Sequence, residues 1–193
     1  MRVLGIDPGL ATVGVGYVDA ASPHDIRAGE WLTIRTAAGL PLAERLKEIR
    51  IDLLAYIAEV RPELAVIEKL FFATNRKTAI DVAQARGVIL LCLAEAAVPL
   101  LEVTPMQLKS CITGDGRADK RQVQDMLVRT LHLDRTPQPD DAADALALAV
   151  YGGIVGEGLG IRDSEFGLRN FSHPKSESRG PNPSSPAVWP RTA

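Results

Sequence analysis

Three acids open an otherwise apolar helix. The run Pro139-Asp140-Asp141-Ala142-Ala143-Asp144-Ala145-Leu146-Ala147-Leu148-Ala149 is dominated by the two best helix formers. Pro139 sits where a helix can begin, and Asp140 suits the N-cap. Beyond the first turn the only polar side chain before Tyr151 is Asp144, and a helix apolar all round is buried on all sides. Asp141 and Asp144, three residues apart, share a face and repel each other unless a positive charge stands beside them. Such acids either cap the helix and complement its dipole or supply hard oxygen donors to a divalent cation such as Mg²⁺.

Two further acids favour the second reading. Val3-Leu4-Gly5-Ile6-Asp7 is a short apolar run that ends in a carboxylate before the breaker pair Pro8-Gly9. Leu64-Ala65-Val66-Ile67-Glu68 repeats the design. If a helical crossover joins them, the two strands lie parallel, and in such sheets ligand sites collect beyond the carboxyl ends of the strands. Asp7 and Glu68 then leave the sheet at one edge. Four acids brought together have raised pKa values unless cations are present. Two Mg²⁺ ions about 4 Å apart balance that charge and clamp a phosphodiester for hydrolysis. No nucleophilic Ser or Cys motif suggests a covalent route.

The elements that must position these acids follow from pattern. Thr12 to Val18 and Ile26 to Arg35 are rich in β-branched and aromatic residues and extend the first strand into an antiparallel meander. From Leu42 to Val60 the apolar positions recur at helical spacing until Arg61-Pro62-Glu63. A long helix is expected over Thr78 to Ala97, a strand over Leu100 to Thr104, and helices over Pro105 to Ile112 and Asp119 to Leu131. The expectation is an α/β protein whose mixed five-stranded sheet has three antiparallel N-terminal strands and flanking helices. Residues 1–154 are expected to form the nuclease domain. Residues 155–193, rich in Gly, Ser and Pro, read as a disordered polar tail.

Composition narrows the partners. Of 193 residues, 46% are hydrophobic and 24% charged, with a net charge of −2. That is a globular composition without the bulk basic charge of a protein that coats nucleic acid, and it leaves room for a local basic groove. Cys92 and Cys111 are isolated, so neither a zinc site nor a disulfide framework is expected, and a reducing cytoplasm fits. No signal peptide and no apolar run of membrane-spanning length is visible. The adjacent Phe71 and Phe72 cannot both point into a core from a regular strand. Beside Arg76 and Lys77 they either stack on unpaired bases or fill a strand–helix corner. Lys109, Arg117, Lys120 and Arg121 form a basic cluster that serves either as phosphate contacts or as a solvated helix face.

Taken together, Gly5-Ile6-Asp7-Pro8-Gly9, Ile67-Glu68 followed by Phe71, Gln84-Ala85-Arg86-Gly87 and Pro139-Asp140-Asp141-Ala142-Ala143-Asp144-Ala145-Leu146-Ala147 closely resemble the RuvC family of Holliday-junction resolvases. The resemblance spans most of residues 1 to 152. It implies a ribonuclease-H-like fold and a crossover-junction endodeoxyribonuclease that acts in DNA recombination and repair. It places the metal-binding acids on Asp7, Glu68, Asp141 and Asp144, with two Mg²⁺ per site and Mn²⁺ as a substitute. It places a junction-centre aromatic on Phe71 and DNA-contacting lysines on Lys109 and Lys120. It further implies a homodimer that nicks two strands symmetrically, a preferred cleavage sequence, and cooperation with a junction-binding and branch-migration complex of the RuvA and RuvB type. Asp140 is an additional acid beside Asp141; helical spacing to Asp144 favours Asp141 as the ligand. Two other readings compete. One is an actin-like ATPase using Asp7-Pro8-Gly9 as a phosphate loop, which needs a second related domain. The other is a junction-binding protein without catalysis.

Overall fold

The computed structural model describes residues 1–69 and 76–156. Five strands, β1 (Arg2–Asp7), β2 (Thr12–Ser22), β3 (Asp25–Arg35), β4 (Leu64–Glu68) and β5 (Leu100–Val103), form one sheet in the order β3-β2-β1-β4-β5. The first three pair antiparallel, β4 runs parallel to β1, and β5 runs parallel to β4. The helices are α1 (Leu42–Val60), α2 (Arg76–Glu95), α3 (Pro105–Thr113), α4 (Lys120–Thr130) and α5 (Asp140–Val155). The expected mixed sheet is therefore present. Among the described residues no helix is long and apolar enough to cross a membrane.

The period of two along each strand sorts the core into two layers. Leu4 and Ile6 of β1 and Ala65 and Ile67 of β4 pack with Ile49 and Leu53 of α1 and Ile89 and Leu93 of α2. Their neighbours Val3, Leu64 and Val66 face the other way, into a cluster with Leu127 of α4 and Leu146 and Ala149 of α5. In that second layer α5 touches the sheet backbone directly. A Cβ on Gly5 would stand 1.8 Å from the Ala145 carbonyl oxygen, and one on Gly14 would stand 2.0 Å from the Asp141 carbonyl oxygen. Only glycine permits so close an approach.

Several boundaries differ from expectation. β2 continues four residues past Val18, because Asp19 and Ala20 pair in register with Arg27 and Ile26 and the Asp19 carboxylate accepts hydrogen bonds from the Arg2 guanidinium at 2.8 and 3.0 Å. β5 stops at Val103, and Thr104 becomes the N-cap of α3, sharing a capping box with Gln107. α2 begins at Arg76 rather than Thr78. Asp140 is not the N-cap of α5. Pro139 takes that position, its carbonyl accepting from the Ala142 and Ala143 N–H groups, and no side chain caps the helix. Asp140 is thus the first helical residue, its carboxylate released for another partner. α5 ends at Val155, one residue past the expected domain boundary, and residues 157–193 lie outside the described part.

Candidate active site

Asp7 is the last residue of β1 and pairs with Gly14 of β2. Glu68 is the last residue of β4, and the preceding residues of the two strands, Ile6 and Ile67, are register partners. Strand alternation sends both acids to the α5 face, on the same side as Val3, Leu64 and Val66. There the first turn of α5 meets them, its start fixed by the contact between Gly14 and the Asp141 carbonyl. The result is a pocket of about 230 Å³ whose polar lining is Asp7, Glu68, Asp144, Lys109 and Lys120, over a floor that includes Leu108 and Ala147. Asp141 lines an adjoining groove of about 340 Å³, with the turn from Gly9 to Thr12, Arg45 and Asp81.

The electrostatics tie these acids into one unit. Burial pushes the Asp7 carboxyl up to about 7, and the charges of Asp144, Asp141 and Glu68 push in the same direction, with Lys120 opposing. Burial also raises Glu68, followed by the charge of Asp144, while Lys109 pulls it back. Asp140 is not among the charges acting on Asp7. Asp141 and Asp144 thus lie close enough for their charges to act on Asp7, whereas Asp140 has another partner.

That partner is Lys120. Its ammonium lies 3.0 Å from Asp144 Oδ2 and 3.3 Å from Asp140 Oδ2. Burial alone would lower the Lys120 pKa, but the hydrogen bond to Asp144 and the charges of both acids lift it above the ordinary lysine range. No base lies within three positions of Asp141 or Asp144 in sequence; the structure brings one in from the start of α4. Of the basic cluster, Lys109 and Lys120 line the acidic pocket, whereas Arg117 lines a different groove with Met106, Cys111 and Tyr151. Phe71, Phe72 and the side chains of Arg76 and Lys77 lie outside the described residues.

Gly14, Thr36 and Arg45 are placed at the site by the structure and escaped sequence reasoning. Gly14 had a usable signal, since a lone glycine inside a strand pattern marks a close backbone approach. Thr36, the buried polar residue just past β3, donates through Oγ1 to the Leu10 carbonyl at 2.7 Å and accepts from Arg45 Nε at 2.8 Å. This chain braces the turn that follows Asp7. No sequence spacing links Leu10, Thr36 and Arg45.

The donor set is all carboxylate oxygen, which fits a hard divalent cation. The excess negative charge that lifts Asp7 is the charge such a cation would balance. Among the described residues, no three acidic, His or Cys side chains gather around one point, and the Lys120 ammonium lies 3.0 Å from Asp144 Oδ2.

Comparison with known proteins gives the family and the fold. The family described as "Crossover junction endodeoxyribonuclease RuvC" matches residues 3–151. A crossover junction endodeoxyribonuclease RuvC from Chloroflexus aurantiacus is 49% identical over 150 residues, 78% of this chain and 91% of that protein. The structure of Thermus thermophilus RuvC in complex with a Holliday junction substrate superposes with a TM-score of 0.77 at 33% identity, covering 82% of this chain and 96% of that one. A yeast mitochondrial Holliday junction resolvase shares the fold, with a TM-score of 0.58 at 14% identity over 81% of each chain. These matches favour neither the actin-like ATPase nor the non-catalytic reading. The chain belongs to the RuvC family of crossover junction endodeoxyribonucleases.

Proposed function

We propose that this chain resolves four-way DNA junctions by metal-dependent hydrolysis of phosphodiester bonds, with Asp7, Glu68, Asp141 and Asp144 as the metal-holding carboxylates. The observation that carries the assignment is the meeting of two strand-end acids with the first turn of α5, where Asp7 feels the charge of the other three. Two Mg²⁺ ions, or Mn²⁺ in their place, would supply activation of the attacking water and neutralisation of charge on the leaving oxygen. The protein's own contribution is placement. β1 and β4 fix Asp7 and Glu68 through their ladder, and α5 fixes Asp141 and Asp144 by backbone contact with Gly5 and Gly14. Leu108 and Ala147 add apolar surface to the lining of the pocket. Lys109 and Lys120, on its rim, attract the phosphate backbone of the strand to be cut.

A four-way junction has approximate two-fold symmetry, so paired nicks call for two such sites in a homodimer. Phe71 is the proposed aromatic at the junction centre, and Phe72, Arg76 and Lys77 are proposed as further DNA contacts. A branch-migration complex of the RuvA and RuvB type is the proposed partner, and the cytoplasm the proposed location.

The test is strand cleavage of end-labelled four-way junctions and matched linear duplexes, with Mg²⁺ or EDTA, comparing wild type with Asp7→Asn. Metal-dependent paired nicks on the junction alone, absent from a variant that still binds it, are expected. Equal cutting of linear duplex would replace junction selectivity with a general nuclease. Unimpaired cutting by Asp7→Asn would remove the acid assignment.

A further inference from the structure

Asp140 and Asp141 are adjacent acids at one helix start, yet they have different surroundings. Asp141 acts on Asp7 and lines the groove beside it. Asp140 has a side chain 62% exposed, makes no capping bond, and is 3.3 Å from Lys120. Lys120 in turn occupies the first residue of α4, an end of a helix where its dipole disfavours a cation. The N-cap of that helix is Asp119, whose carboxylate is engaged with the Gln122 N–H. Lys120 is therefore held where it is by α5, through Asp140 and Asp144 together.

We propose that Asp140 is a positioning residue that keeps the Lys120 ammonium at the rim of the acidic pocket while Asp144 is engaged by a divalent cation. The proposal rests on the assignment of Asp144 to the metal. Lys120 rests on Asp144 Oδ2, so a cation that takes this oxygen displaces it. With Asp144 as its sole anchor, a lysine displaced by the cation would be released on a flexible four-carbon stem. With Asp140 in place, displacement breaks one contact and leaves the other. The ammonium then stays poised beside the site for a DNA phosphate. Asp141 is not the second anchor: the carboxylates within 4 Å of the Lys120 ammonium are those of Asp140 and Asp144, and Asp141 lines the groove with Arg45.

The role predicts coupling between Asp140 and Lys120 rather than an independent loss. Single-turnover junction cleavage at saturating Mg²⁺ is expected to fall about fivefold in Asp140→Asn, the most that loss of one exposed ion pair supports. Asp140→Glu, which keeps the carboxylate, is expected to restore the rate to within about twofold. In a Lys120→Met background, adding Asp140→Asn is expected to change the rate by less than about twofold, since coupled residues do not add. Direct Mn²⁺ binding, followed by electron paramagnetic resonance without DNA, gives a readout separate from activity. Asp140→Asn is expected to leave it unchanged in the Lys120→Met background. A further fivefold rate loss there, or weaker Mn²⁺ binding there, would make Asp140 a ligand in its own right and overturn the proposal. Failure of Asp140→Glu to rescue would overturn it as well. Asp7→Asn separates the two levels: if it cleaves normally, the four-acid assignment falls, whereas an inactive Asp7→Asn beside a fully active Asp140→Asn sinks the Asp140 role alone.

Discussion

Replacing Asp7 by Asn should stabilise the metal-free protein, and by an amount that depends on pH. The Asp7 carboxyl is raised from its ordinary 3.8 to about 7 by burial and three neighbouring acids. A carboxyl whose folded pKa lies above its unfolded value contributes stability that is fully present below the unfolded pKa and lost as pH rises through the folded one. The window is thus from about pH 4 to pH 8. The difference of roughly three pH units, at about 1.36 kcal/mol each, sets a ceiling of ~4 kcal/mol on what the charged carboxyl costs above pH 8. Counter-ions and movement of Lys120 reduce that, so about 2 kcal/mol is the expected net gain from Asn. For a chain of this size that is a rise in Tm of ~4–8 °C. The assay is thermal unfolding in EDTA at intervals from pH 4.5 to 8.5. The Asn variant should melt above wild type at the alkaline end, with the gap closing toward the acid end. Adding Mg²⁺ should then raise the wild-type Tm and narrow the gap, by linkage of binding to folding. A gap that does not vary with pH, or an Asn variant that is less stable at pH 8.5, would refute the reasoning that these acids repel one another at close quarters.

Two further outcomes follow from the elements that seat the acids. Gly14→Ala places a Cβ 2.0 Å from the Asp141 carbonyl oxygen, so the start of α5 must lift; a loss of ~1–3 kcal/mol in denaturant unfolding and a larger fractional loss of cleavage are expected, and unchanged activity would contradict it. Thr36→Val removes the donor to the Leu10 carbonyl and the acceptor for Arg45 Nε, and leaving those groups unpaired should cost ~1–3 kcal/mol; a midpoint equal to wild type would show that the brace is dispensable.

What the sequence made legible was whatever local pattern encodes. Continuous apolar runs closed by Asp7 and Glu68 identified two buried strands and their shared edge, because strand alternation and parallel pairing leave few other arrangements. The alanine-rich run after Pro139 identified a buried helix with acids at its start for a similar reason. What stayed hidden depends on groups far apart in the chain. Lys120 reaches Asp144 across 24 residues, and no periodicity announces such a pairing. Asp140 looked like a cap because Asp is a good one, yet the Pro139 carbonyl already accepts the first intrahelical bonds and leaves the carboxylate to Lys120. The extension of β2 to Ser22 was masked by Asp19 and the small residues that follow it, which the pairing with β3 and the Arg2 guanidinium hold in the sheet.

The seating of α5 on Gly5 and Gly14 bears on how the protein can change over time. In most packed domains a helix and a sheet are separated by a layer of side chains, and every substitution in that layer shifts one against the other. Here, at the acidic end of α5, the spacer is peptide backbone on both sides, so the distance between the sheet's acids and the helix's acids is set by atoms that no substitution of a bulky residue can adjust. The apolar layers elsewhere are therefore free to drift in composition while the four carboxylates keep their spacing. The same arrangement leaves the lineage little latitude at those two glycines, where even one methyl group would separate the two halves of the site.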